Sequence, residues 1–265
     1  MKRKLAAIFL LCCAGTVWAQ YPGPFLTEEA RPNGICFLPE PPEIAKDSIG
    51  GRFYNDWWYY QWGKDVRDNY AVRDEGIELL SDEGEGVFND IIGLELGEKA
   101  PEILRLAQAA TSDVHAATKT LKNHFRCKRP FAFFGEPSIT PDQDEELAQE
   151  WGYPSGHAAR GWMFAYVLSQ VAPERANDLA TRANAYAMNR VISGHHWKSD
   201  IDAGQMLAAV IFSAVSATDA YQKQLKKARK EYKRIKQPKG VQNDSIGQHT
   251  IDHYYDHLGH RLSDF

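Results

Sequence analysis

From Ala100 onward, apolar residues recur at alternating steps of four and three: Ile103, Ala107, Ala110, Val114, Ala117 and Leu121. That spacing lines one face of a 3.6-residue turn and predicts a single long amphipathic helix. A second run, from about His157 to Val171, is apolar on most sides, which predicts a central helix. Pro173 can open a third, in which Leu179, Ala183, Tyr186 and Arg190 share a face. In a fourth, His196, Asp200, Ala203, Leu207, Val210 and Ala214 keep the same rhythm. Alternating strand patterns are scarce and there is no internal repeat. The predicted class is all-α, a single-domain helical bundle.

Upstream, residues 20–50 carry the proline-rich stretches "YPGPF" and "FLPEPP", which cannot form a regular helix and predict an extended N-terminal arm on the domain surface. The domain itself spans 51–238. It begins with "FYNDWWYYQWGKDVRDNY", too aromatic for a loop; most of it should be core, with part available as a wall of a substrate cleft. At the other end, "KKARKEYKRIKQPKG" predicts a basic, solvated helix end stopped by Pro238. Residues 239–265 form a His-rich tail in which His249, His253, His257 and His260 have a spacing that a metal could use. Composition alone favours an exposed tail there.

Residues 1–19 read as a signal peptide: Lys2, Arg3 and Lys4 precede an apolar run from Leu5 to about Gly15, and Val17-Trp18-Ala19 fits a small-residue cleavage site. The run falls short of the ~20 apolar residues a spanning helix needs. No later segment is long and apolar enough to cross a bilayer, so a periplasmic or secreted location is expected, with no membrane span. Loss of three cations and no acids would take the net charge from −4 to −7. An acidic chain argues against nucleic acid as a partner and makes any local cluster of cations informative. Of four cysteines only Cys36 and Cys127 lie beyond residue 19, and an oxidising compartment suggests that they form one disulfide.

Three segments combine unusual polar residues with the ends of apolar helices: "KNHFRCKRPF", "PSGH" and "NRVISGHHWKSD". In the first, Lys122 and Arg129 flank a link closed by Pro130, which should end the helix. Lys122, Arg129 and Arg190 can supply three fixed cations, and Ser155-Gly156-His157 at a helix start offers unpaired N–H groups and the positive end of a dipole. Together they would hold a phosphate. If residues 196–200 are helical, the four-residue step puts Asp200 on the face of His196 and leaves the other imidazole nitrogen to attack.

The pattern Lys122, Arg129-Pro130, Pro154-Ser155-Gly156-His157, Arg190, His196, Asp200 resembles the signature of the phosphatidic-acid-phosphatase type 2 superfamily. More closely, "RPFAFFG", "YPSGH" and "RVISGHHWKSDIDAG" are similar to the bacterial class A non-specific acid phosphatases, as is the N-terminal region. The resemblance implies an exported acid phosphatase that hydrolyses a broad range of small organic phosphomonoesters through a phosphohistidine. His196 would be the nucleophile, His157 the general acid, and Asp200 the group that orients His196. Lys122, Arg129, Ser155, Gly156 and Arg190 would bind the phosphoryl oxygens, with no metal and no cofactor. Phosphate and vanadate would inhibit, and a homodimer is the assembly the relatives bring to mind. Asn189 departs from the family, which usually has serine before this arginine. Two alternatives stay open: a vanadium-dependent haloperoxidase, whose similar pocket holds vanadate, and a periplasmic phosphoester-binding protein without turnover.

Overall fold

A computed structural model of the protein describes residues 23–43, 52–67 and 86–236. The expected signal peptide, Pro238 and the tail histidines lie outside the described residues. Six long helices carry the fold: α1 (Arg52–Arg67), α2 (Pro101–Phe125), α3 (Gly156–Val171), α4 (Ala176–Ile192), α5 (Lys198–Ser216) and α6 (Asp219–Lys236). No strand occurs among the described residues. The all-α class is as the periodicity indicates.

The apolar run of α3 is central for the reason its sequence gives: with no polar face, it must be covered on several sides. It packs against α2, α4 and α5. Met163, Phe164, Val167 and Leu168 are all but fully buried. Small residues let the helices approach: a Cβ at Gly161 would meet the Tyr186 ring of α4 at 2.6 Å. A Cβ at Gly204 of α5 would meet the Ser155 carbonyl at 2.6 Å. The aromatic segment at 53–67 is helical, and its Tyr60 and Trp62 are buried. At Gly63 a Cβ would lie 3.0 Å from the Val191 carbonyl, so α1 lies directly on the end of α4.

Helix boundaries follow the local chemistry. Pro101 opens α2, where its missing N–H costs nothing. The helix stops well before Pro130: Arg126 is left-handed at φ 52°, and its N–H closes onto the Lys122 carbonyl at 3.1 Å. Pro130 instead starts a short helix, Pro130–Phe134. Pro173 opens α4 indirectly, through one 3₁₀ turn at Pro173–Arg175. The basic α6 is solvated on one face only, because Tyr221, Leu225, Ala228 and Tyr232 are buried. Its buried Glu231 accepts the N–H groups of Glu102 (2.9 Å) and Ile103 (3.0 Å), which supplies α2 with the N-terminal partner its own sequence lacks.

The arm, described over 23–43, is stitched to this body. Asp113 of α2, with a fully buried side chain, accepts the N–H groups of Phe25 (2.8 Å) and Leu26 (3.2 Å) and pairs with Arg31 at 3.6 Å. Leu26 and Leu38 enter the main core. The expected disulfide is not formed: Cys36 and Cys127 are both free. Cys36 is exposed beside the Gly34 turn, whereas Cys127 is half-buried and packs against the core, so the chain gives the two side chains different surroundings. No single helix among the described residues is long and apolar enough to cross a membrane.

Candidate active site

The site is assembled where α4 ends and α5 begins. After Ile192 the chain doubles back through Gly194 (φ 82°), and the Arg190 carbonyl accepts the N–H groups of both His195 (3.1 Å) and His196 (3.0 Å). Glycine is required at that turn both by its positive φ and because a Cβ would meet the buried guanidinium of Arg67 at 2.8 Å. His196 lies outside the helix expected to carry it: α5 starts at Lys198, with Trp197 extended before it. The pair with Asp200 forms nonetheless. From the third position of α5, the Asp200 carboxylate accepts the Trp197 N–H (3.1 Å) and lies 3.0 Å from His196 Nδ1. The reason is capping rather than a shared helical face. A second carboxylate, Asp56 of α1, accepts the Ser199 N–H (2.7 Å) and hydroxyl (2.5 Å) and completes the α5 start.

On the other side of the imidazole is Arg129. Its guanidinium, 3% exposed, donates to the Glu150 carbonyl (Nε, 3.2 Å), the Glu150 carboxylate (Nη2, 3.3 Å) and the His195 carbonyl (Nη1, 3.2 Å). Arg129 Nη1 is also 3.1 Å from His196 Nε2. A guanidinium only donates, so Nε2 must be the accepting nitrogen and Nδ1 must carry the proton that goes to Asp200. The geometry therefore selects a neutral His196 with its lone pair on Nε2.

The electrostatics of the imidazole favour the same neutral form. Burial, then Arg129, Lys122 and Arg190, hold the His196 pKa well below its ordinary value. The Asp200 carboxyl is raised, first by burial and then by Asp56, against the pull of the Trp197 N–H, Arg129 and Lys122. Burial, and after it the neighbouring cations, bring Lys122 down to about 8 and Arg190 down to about 9. Arg190 Nε and Asp200 Oδ1 are buried without a hydrogen-bond partner among the described residues, and a phosphoryl oxygen would satisfy the first.

The "PSGH" segment forms the third wall. Ser155, fully buried, is the N-cap of α3: its hydroxyl oxygen accepts the Ala158 N–H at 3.3 Å, which leaves the hydroxyl proton to a ligand. Gly156 and His157 make the first turn, with Gly156 close to Thr118 of α2. The Ser155 N–H donates to the Asp200 backbone carbonyl at 2.9 Å, which links this helix start to the residue that pairs with His196. His157 is held well below its usual pKa by burial, Arg190, Arg160, Arg129 and Lys122, in that order. The same cations act on both histidines.

Three cations, a helix start and a histidine lone pair make up the set of groups expected of the resembled family, and the comparisons agree on the family. The model of the PAP2 superfamily matches residues 103–224, which contain every one of these groups. The "Non-specific acid phosphatase" of Providencia stuartii is 33% identical over 218 residues, covering 80% of this chain and 86% of that protein. A protein of the same description from Salmonella typhimurium is 31% identical over 234 residues, covering 87% and 93%. The chain belongs to the class A acid phosphatases of the PAP2 superfamily.

Within this class A acid phosphatase, several supporting residues were not foreseen. Glu150 orients Arg129 from twenty-one positions away, and no local pattern announces it. Gly152 lets the backbone pass against the carboxylate, since a Cβ there would sit 2.8 Å from Asp200 Oδ2. Its place just ahead of "YPSGH" was the available signal. In the His195-His196 pair, only His196 meets Arg129 and Asp200 through its side chain. His195 is bound instead to the hydroxyls of Ser193 (3.0 Å), Ser138 (3.1 Å) and Thr140 (3.1 Å). Asn189, in place of the family serine, is buried on α4 beside Arg190.

Proposed function

We propose that the protein is an exported phosphomonoesterase of broad specificity that works through a phosphohistidine at His196. The observation that carries this reading is the line Asp200–His196–Arg129, which leaves a neutral imidazole with its lone pair on Nε2 beside an anion-binding cluster. In the first step Nε2 attacks phosphorus as the bond to the leaving oxygen breaks, and protonated His157 gives that oxygen a proton. Asp200 balances the charge that develops on the imidazole. In the second step water attacks the phosphoramidate, neutral His157 takes its proton, and His196 leaves with its electron pair. Lys122, Arg129, Arg190, the Ser155 hydroxyl and the Gly156 N–H stabilise the charge spread over the equatorial oxygens.

Metal independence belongs to this reading because three cations already face the phosphoryl site and would repel a divalent ion. Export rests on the signal-like residues 1–19, and broad specificity on the relatives described as non-specific. The test is to quench purified enzyme in acid during turnover of labelled p-nitrophenyl phosphate. Acid-labile, base-stable phosphate should be found on the protein and be lost in His196→Ala together with turnover. Activity that EDTA abolishes and a divalent metal restores would overturn the reading.

A further inference from the structure

The cationic surface does not end at the phosphoryl site. On α2, His115, Lys119 and Lys122 follow at steps of four and three and so share one face. Phe125 packs on Tyr153 with ring centroids 5.0 Å apart, and a Cβ at Gly156 would lie 3.6 Å from Thr118 Cγ2. As α3 advances, α2 recedes, so the two helices are antiparallel. One turn beyond Gly156, Arg160 therefore comes alongside His115. His115 and Lys119 are exposed and Arg160 is half-buried, so the strip leads from the half-buried Lys122 out to solvent.

The strip and the pocket are electrostatically continuous. Arg160 lowers the pKa of His157 and of Arg190 inside the pocket and that of His115 outside it, and Lys122 likewise acts on both His157 and His115. One phosphoryl group is already matched by Lys122, Arg129 and Arg190. Lys119 and Arg160 are two further cations in a chain whose net charge is −4.

We propose that Arg160, Lys119 and His115 form an anion subsite at the pocket mouth that takes a second phosphate group carried on the leaving alcohol. The subsite rests on the phosphatase reading of the same pocket. Bisphosphorylated small molecules are then preferred over the matched monophosphates, because the second phosphate gains charge-assisted hydrogen bonds that a neutral leaving group cannot make.

The test compares glucose 1,6-bisphosphate with glucose 6-phosphate in the purified protein and in Arg160→Gln and Lys119→Gln. The ratio of kcat/KM for bisphosphate over monophosphate should fall about tenfold in each variant, mainly through KM. Arg160→Lys should recover part of the loss. Lys230→Gln, on the exposed face of α6, should leave the ratio unchanged. A ratio that stays within about twofold of wild type in both subsite variants, or falls as much in Lys230→Gln, would overturn the subsite. If neither glucose phosphate nor p-nitrophenyl phosphate is hydrolysed, the phosphatase reading is what fails, and calorimetric binding of pyrophosphate decides the subsite. Weaker binding to Arg160→Gln than to wild type supports it; equal binding rejects it.

Discussion

His196 Nδ1 and Asp200 Oδ2 lie 3.0 Å apart although only Asp200 is in a helix. The carboxylate that accepts the Trp197 N–H at the start of α5 is the one that receives the imidazole proton, so helix capping and tautomer selection are a single structural event. Asp200→Asn should keep the fold but lose the charge that supports a positive imidazole in the transition state. We expect kcat to fall roughly 10²- to 10⁴-fold with a much smaller change in KM. Steady-state kinetics beside an unchanged circular dichroism spectrum check this; a kcat within a few-fold of wild type would remove Asp200 from the mechanism.

Gly152→Ala tests the same pair without touching it. The added Cβ would approach Asp200 Oδ2 to 2.8 Å, and that oxygen is already fixed by His196 and by the Trp197 N–H. The carboxylate must move, and a displacement of about 1 Å at such a group can cost roughly 10²-fold in rate. We expect kcat to drop at least about tenfold while phosphate still binds. A fully active Gly152→Ala enzyme would mean that the site yields more easily than its packing indicates.

Activity should have an acid optimum. His157 must be protonated to act as acid, yet burial and four cations hold its pKa well below the ordinary value, so kcat/KM should fall as pH rises through that lowered pKa. The His196 pKa is lowered as well, so the protonation that would remove the nucleophile is also displaced toward acid pH. In His157→Asn the alkaline limb should disappear from the kcat/KM profile, with the greater loss on substrates whose leaving groups are poor.

Stability should carry its own pH signature. His195 is held down to about 2 by burial and by Arg190, Arg129 and Arg67, whereas an unfolded histidine titrates near ~6.5. The unfolded chain therefore binds the extra proton, and the stabilisation from neutral His195 is complete above ~6.5 and lost as pH falls below it. Urea unfolding between pH 6 and 4 should show a slope shallower by about 1.4 kcal/mol per pH unit in His195→Gln. An unchanged slope would show that His195 is not held neutral.

The two thiols should react at different rates. Cys36 is exposed, while burial, with smaller contributions from Asp200, Asp56 and Glu40, pushes Cys127 up to about 12. In a chain beginning at Gln20, a thiol reagent should label Cys36 promptly and Cys127 only after unfolding. Denatured, unreduced protein that titrates no thiols would restore the disulfide.

Much of this molecule was legible in the residue order because it depends on local periodicity. The face Ile103, Ala107, Ala110, Val114 lies inside α2, and the apolar run after His157 is buried as α3, because burial of an apolar surface follows from spacing alone. The three motif segments were legible for a related reason: a proline, a small N-cap and fixed cations each have a local chemical role. What the residue order left open is everything that depends on approach through space. It placed His196 inside a helix, whereas the structure puts it before α5 and forms the Asp200 pair through the cap. It singled out His196 by its four-residue step to Asp200 and by resemblance, but not what the fold brings to each of the adjacent histidines: three hydroxyls for His195, Arg129 and Asp200 for His196. It paired Cys36 with Cys127 from compartment and number, and neither quantity contains a distance. Glu150, Asp56 and Glu231 were likewise invisible, because a carboxylate acquires a role only when another segment of chain comes within hydrogen-bonding range.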